Sequence, residues 1–263
     1  MSLFLLSTLL LPSILAIPHK PVHYASNSTT TTTSLDPNCA PGGNFDLSLW
    51  KLQLPTGKQG SIDSISSSSL TSCDGYQSSK YFFTSPDDGA LVMKVAGSPD
   101  SSGCVATSGS KHCRTELRES SPSSWDAEAD MNRLKVELEV VKPDDGRYGT
   151  VIGQIHADGE VSNKPVCELF YGQDGKITMG VEQVPGESSL KYTGIGSVTV
   201  GERFGYEIRF EKGKLQVSIN DGGFKMLSTG ELGAPRGYFK VGNYNQGDEK
   251  SEVRFYKIEV EHS

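Results

Sequence analysis

Arg114, Glu116 and Arg118 in RTELRE, Gln154 and His156 in QIH, and Tyr238, Lys240, Gly242, Tyr244 and Gln246 in YFKVGNYNQ stand at every second position of three short stretches. In an extended strand this spacing sends every one of those side chains to the same face. The intervening Thr115 and Leu117, Ile155, and Phe239 and Val241 suit a packed interior, although Asn243 and Asn245 dilute the pattern in the third stretch. The polar face gathers arginines, a lysine, a histidine, tyrosines and glutamine amides. Such a set can hold a carboxylate and move a proton beside it.

Each residue alone has an ordinary reading. Arg114 and Arg118 could form a surface ion-pair ladder with Glu116, Tyr244 could be a strand aromatic packed on a neighbour, and His156 a structural histidine. Their joint placement on one face is what argues for a site. Within it, Glu116 lies between the arginines and is expected to orient both guanidinium groups, while Tyr238 and Lys240 are support residues able to hold a ligand by stacking and charge.

The elements that must carry this face are strands. Strand-like runs recur along the chain, from WKLQL through KYFFT, ALVMKV and RLKVELEVV to PVCELFYG, KITMGVEQV, FGYEIRFE, KLQVSIND and SEVRFYKIEV, and none shows a sustained helical period. Asp87-Asp88-Gly89, Asp144-Asp145-Gly146, Asp174-Gly175 and Asp221-Gly222 separate some of them and read as hairpin turns. The fold class is all-β, with two packed antiparallel sheets as a sandwich or jelly roll, one of them able to curve into a groove. The Asp-Gly pairs lack EF-hand spacing and the cysteines lack zinc-site spacing, so no metal or other cofactor is expected.

The 263-residue chain divides into three parts. Residues 1–16, MSLFLLSTLLLPSILA, form an uncharged apolar run of signal-peptide length, shorter than the roughly 20 residues of a membrane span. Residues 17–36 are rich in Ser, Thr and Pro and read as a linker, with Asn27 in a sequon for N-glycosylation. Residues 37–263 have the composition of one globular domain. A secreted, extracellular protein with no membrane association after signal cleavage follows, expected to be a monomer.

The formal net charge of −7 argues against nucleic acid as a partner. It does not exclude an acidic ligand, because salt screens charge beyond about 10 Å and a local basic cleft suffices. The five cysteines suit an oxidising compartment and leave one unpaired. Cys104 and Cys113 bracket a Ser/Gly-rich loop just before Arg114 and are expected to pair. Cys39 then pairs with Cys73 by elimination, and Cys167, within VCELFYG, is left as a buried thiol.

RTELRE, QIH and YFKVGNYNQ, in that order and with the early WKLQLP, resemble the signature of polysaccharide lyase family 7, the alginate lyases with a β-jelly-roll fold. The third motif usually reads YFKAG at its start; Val241 replaces the alanine, at a position that should face inward. The resemblance implies that Arg114, Gln154, His156 and Tyr244 are catalytic and that Arg118, Lys240 and Gln246 line the substrate groove. It implies β-elimination in a 4-linked polyuronate, leaving a 4,5-unsaturated uronate at the new non-reducing end.

Chemically, Arg114 and Gln154 would offset the carboxylate while the C5 proton leaves. Tyr244 would protonate the scissile oxygen, and either His156 or Tyr244 could be the base, according to whether proton and leaving group lie on opposite faces, as in guluronate, or on one, as in mannuronate and glucuronate. Ile155 resembles relatives that accept guluronate or mixed blocks. Alginate is the first expected substrate and β-1,4-glucuronan, cleaved by other relatives, the second. A non-catalytic polyuronate-binding module would keep the arginines and lysine but would not need both His156 and Tyr244. A jelly-roll glycoside hydrolase would need two carboxylates flanking the bond, and Glu116 and Glu119 point to opposite faces; Glu168 could join Glu116 only through tertiary contact.

Overall fold

The computed structural model describes residues 34–263. The proposed leader, Asn27 and most of the linker lie outside the described residues. The linker boundary needs a small correction: Leu35 packs against the core, and the Asp36 backbone N–H donates to Asn44 Oδ1 at 2.7 Å, so these residues belong to the folded body.

The described residues form fifteen strands in two antiparallel sheets, here numbered in chain order. The first sheet runs in space as β10 (Leu190–Ser197), β9 (Lys176–Glu182), β8 (Pro165–Tyr171), β7 (Thr150–Ala157), β14 (Gly237–Tyr244), β5 (Arg114–Glu119), β1 (Trp50–Lys58) and β2 (Ser61–Ile65). The second runs as β13 (Lys225–Leu227), β12 (Lys214–Ile219), β11 (Arg203–Glu211), β6 (Asn132–Lys142), β15 (Ser251–His262), β4 (Leu91–Val95) and β3 (Phe82–Thr84). This is the expected β-jelly-roll. Among the described residues no helix is long and apolar enough to cross a membrane.

Between the sheets, Leu52, Leu117, Ile155, Phe239 and Val241 of the first meet Leu134, Leu138, Phe210, Val253 and Phe255 of the second in one continuous core. Val241 is fully buried and pairs in register with Gly153 of β7. A Cβ on Gly153 would sit 2.4 Å from the Tyr206 hydroxyl, which rises from the opposite sheet to donate to the Ile152 carbonyl at 2.8 Å. The side chain missing at Gly153 thus makes room for a cross-sheet hydrogen bond directly beneath the expected site.

Polar residues that interrupted the apolar pattern also join the sheets. Asn243 Nδ2 donates to the Met93 carbonyl of β4 at 3.0 Å, and the Ser251 hydroxyl of β15 donates to Asn243 Oδ1 at 2.7 Å. Asn245 Nδ2 donates to the Glu249 carbonyl at 2.7 Å. Glu119 points inward, away from Glu116, and accepts from Trp125 Nε1 at 2.8 Å and the Phe239 backbone at 2.9 Å. Buried polar groups of this kind are tolerated because each finds a partner.

Asp87-Asp88-Gly89 and Asp174-Gly175 close hairpins, with Gly89 and Gly175 left-handed at φ 77° and 74°. Asp144-Asp145-Gly146 does not, because β6 and β7 belong to different sheets and the segment is a crossover between them. Asp144 is buried there and accepts from Gly146, Thr150 and the Gln246 backbone. In the β12–β13 turn the left-handed residues are Asn220 and Asp221, not Gly222.

Cys39 is joined to Cys73 and Cys104 to Cys113, and Cys167 is buried with its thiol pushed up to about 12 by burial. Asn243→Ala should strand the Met93 carbonyl and lower the unfolding free energy by about 1–3 kcal/mol. A fall in the urea midpoint at unchanged slope is the expected reading.

Candidate active site

β7, β14 and β5 are neighbours in the middle of the first sheet, so the three motifs become one surface. Register sets Tyr238 opposite His156, Lys240 between Gln154 and Arg118, Gly242 opposite Glu116, and Tyr244 opposite Arg114. The face is not the solvated exterior of an ordinary one-sided sheet: Arg114, Glu116, Gln154, Lys240 and Tyr244 are all buried. Loops rise around them and leave a groove of about 260 Å³.

Glu116 does not line this groove but lies beneath the residues that do, at 1% exposure. Its carboxylate accepts from the Gln154 amide, pairs with the Lys240 ammonium, and accepts from Arg114 at 3.2 Å. Burial alone would raise its pKa, but Lys240 and Arg114 overrule burial and hold it below the usual carboxylate value. Arg118 is not among its partners, contrary to the expectation that Glu116 orients both arginines; the Arg118 guanidinium instead lies 4.1 Å from the Tyr238 ring centre. Arg114 stacks likewise on Tyr244 at 3.7 Å.

His156 lies parallel to Tyr238, ring centres 5.2 Å apart. Its Nδ1 is 2.7 Å from the Ala157 carbonyl, which can only accept, so Nδ1 carries the proton and Nε2 keeps its lone pair. Burial, reinforced by the Lys240 charge, lowers its pKa to about 4. Tyr244 is displaced the other way: burial raises its pKa against the pull of Arg114, so the phenol keeps its proton. Its hydroxyl lies 2.8 Å from Ser110 Oγ. The groove therefore offers an uncharged base, a protonated acid and a fixed cationic pair, the parts that proton abstraction beside a carboxylate requires.

The family model described as "Alginate lyase" matches residues 45–262. The chain belongs to the alginate lyase family. An alginate lyase of Klebsiella pneumoniae is 26% identical over 293 aligned positions, covering 85% of this chain and 91% of the relative. A variant of the family 7 alginate lyase A1-II′ solved with product (GGG) superimposes with a TM-score of 0.70 at 28% identity, over 86% of this chain and 100% of that one. An alginate lyase of Pseudomonas aeruginosa gives 0.69 at 28% identity, over 83% and 100%. Membership of polysaccharide lyase family 7, read above from three motifs, is thereby established.

Of the residues expected to serve this family's chemistry, Arg114, Gln154, His156 and Tyr244 line the groove together with Arg118, Tyr238 and Lys240. Gln246 does not. β14 ends at Tyr244, the two-residue alternation ends with it, and Gln246 lines a neighbouring depression with Lys111, His112 and Asp248, its amide donating to the Asn245 carbonyl.

The lyase groove also contains residues that strand periodicity did not single out. Gln53, Ser110, Asn163 and Lys164 line it. Gln53 shares the alternation of WKLQL and faces Glu116 in register, so its position was legible; the other three sit on loops, where no period operates. Glu168 was weighed only as a partner for Glu116. It pairs in register with Gln154 and is buried, and burial raises its pKa to about 7 against the attraction of Arg114.

Because Glu168 ionises near neutrality, a second negative charge arises beside the site as pH rises through about 7. Glu168→Gln should therefore lower KM for a polyuronate severalfold at pH above about 7, an effect of about 1 kcal/mol, and leave KM little changed at about pH 5. Initial rates across that range test it, and a KM ratio independent of pH would contradict it.

Proposed function

We propose that the protein is a secreted lyase that cleaves alginate, a 4-linked polyuronate, by β-elimination, releasing oligosaccharides with a 4,5-unsaturated uronate at the non-reducing end. The carrying observation is the pairing, across one groove, of a neutral His156 with an open Nε2 and a Tyr244 that retains its proton. The leader-like N-terminus and the two disulfides support secretion.

A uronate carboxylate placed against Arg114 and the remaining N–H of Gln154 would have its charge offset as the C5–H bond breaks, each preorganised donor being worth on the order of 3 kcal/mol. His156 Nε2 takes the C5 proton, electrons shift to form the C4–C5 double bond, and the Tyr244 phenol gives its proton to the departing O4. These protonation states suit an elimination with base and acid on opposite faces, as guluronate presents. For mannuronate or glucuronate, with both groups on one face, Tyr244 would need to lose its proton first, which its burial opposes. Guluronate-containing alginate is therefore preferred over β-1,4-glucuronan. A binding module that only held polyuronate would have no use for a neutral imidazole and a protonated, buried phenol lining one groove.

Tyr244→Phe should abolish formation of the ultraviolet-absorbing unsaturated uronate, by about 10²–10⁴-fold, while polymer affinity persists. His156→Ala should reduce cleavage of polyguluronate more than that of polymannuronate or glucuronan. In the parent protein, kcat/KM should fall at pH below about 4, where His156 becomes protonated, and above about 8, where burial and Arg114 cause Lys240 to lose its charge. An acid limb at the ordinary histidine value would show that the ring is not desolvated.

A further inference from the structure

We propose that Ser110 is a positioning and proton-return residue for Tyr244, connecting its buried hydroxyl to a second depression outside the substrate groove. The inference rests on the reading of Tyr244 as the acid and goes beyond it to how the acid is reset.

Tyr244 is 7% exposed and enclosed on nearly every side. Arg114 covers one ring face at 3.7 Å, Val151 and Phe170 pack against it, and His112 approaches edge-on with ring centres 6.2 Å apart. Among the described residues, Ser110 is the one side chain hydrogen-bonded to its hydroxyl. Ser110 is itself held in place: the His112 backbone N–H donates to its Oγ at 3.0 Å, and the Cys104–Cys113 disulfide closes the loop that carries it. It also lines two cavities, the groove and the depression of about 430 Å³ that contains Lys111, His112, Gln246 and Asp248.

This double position matters because of proton balance. Elimination moves the C5 proton to His156 and the phenol proton to O4, so Tyr244 is left as a phenolate under a groove occupied by polymer. The Ser110 hydroxyl proton then passes to the phenolate oxygen as a water in the depression gives a proton to Ser110 Oγ. The hydroxide so formed is neutralised by the proton that His156 releases to solvent. Tyr244 thus regains its proton from the depression rather than through the occupied groove, and every bond and charge returns to its starting state once His156 has given up its own.

The test compares Ser110→Thr with Ser110→Val, which share a shape and differ in the hydroxyl. Ser110→Thr should retain kcat within about threefold, while Ser110→Val should lose about ten- to a hundredfold in kcat at nearly unchanged KM, the loss of one hydrogen bond to a charged group. Small buffers such as imidazole should restore the Val variant in proportion to their concentration and leave the parent unaffected. Equal kcat in the Thr and Val variants, or a slow Val variant indifferent to buffer, would overturn the proposal. Tyr244→Phe run alongside separates the two levels: if it stays active the acid assignment fails, and if it is inactive while Ser110→Val is fast only the return path fails.

Discussion

The buried carboxylate of Glu116 is the constraint on which the catalytic surface depends. An ion with 1% exposure survives only if its neighbours replace its lost hydration. Lys240, Arg114 and Gln154 do so, one each from β14, β5 and β7, with Glu116 itself carried by β5. In satisfying Glu116 they are themselves fixed, with their remaining donors free for a ligand carboxylate. Buried ion pairs are weak evidence for stability, but a shared anion at the centre of several donors is strong evidence for a defined geometry.

That geometry is transmitted downward by the sheet. The same two-residue period that lifts Arg114, Gln154, His156 and Tyr244 to the groove sends Leu117, Ile155, Phe239 and Val241 into the core, so these four groove residues stand on packed strands rather than on loops. Asn243, through Met93 and Ser251, fastens the central strand to the opposite sheet, and Glu119 anchors its other end through Trp125 and Phe239. Irregularities in pairing at Val151/Gly153 and Val241/Tyr244 fall beside or at Tyr244, where departures from regular register commonly re-aim a side chain.

Much of this was legible in the sequence because alternation is a local property. The three motifs announced a shared face, and the core residues between them announced its underside. What escaped had no local signal. β2, β10 and β13 were not anticipated, and all three are sheet edges with mostly exposed or half-buried residues, so neither neighbour imposes an apolar pattern. Glu168 reached the site through pairing with Gln154, which only the strand order reveals. Ser110 and Lys164 are brought in by loops. Gln246 was placed on the groove by extending the alternation past the end of its strand, and Asp144-Gly146 was read as a hairpin because turn chemistry is the same whether a chain doubles back or crosses to another sheet.

The unpaired sulfur of Cys167 has a consequence for how the two cystines endure. Thiol–disulfide exchange requires a thiolate that can reach a bridge. Cys167 is fully buried in the central core, and its thiol is held at about 12, so in the folded protein it is neither ionised nor accessible. The odd cysteine is thus kept from scrambling the cross-links, and the loop preceding Arg114 keeps its covalent clasp without a partner that could undo it from within.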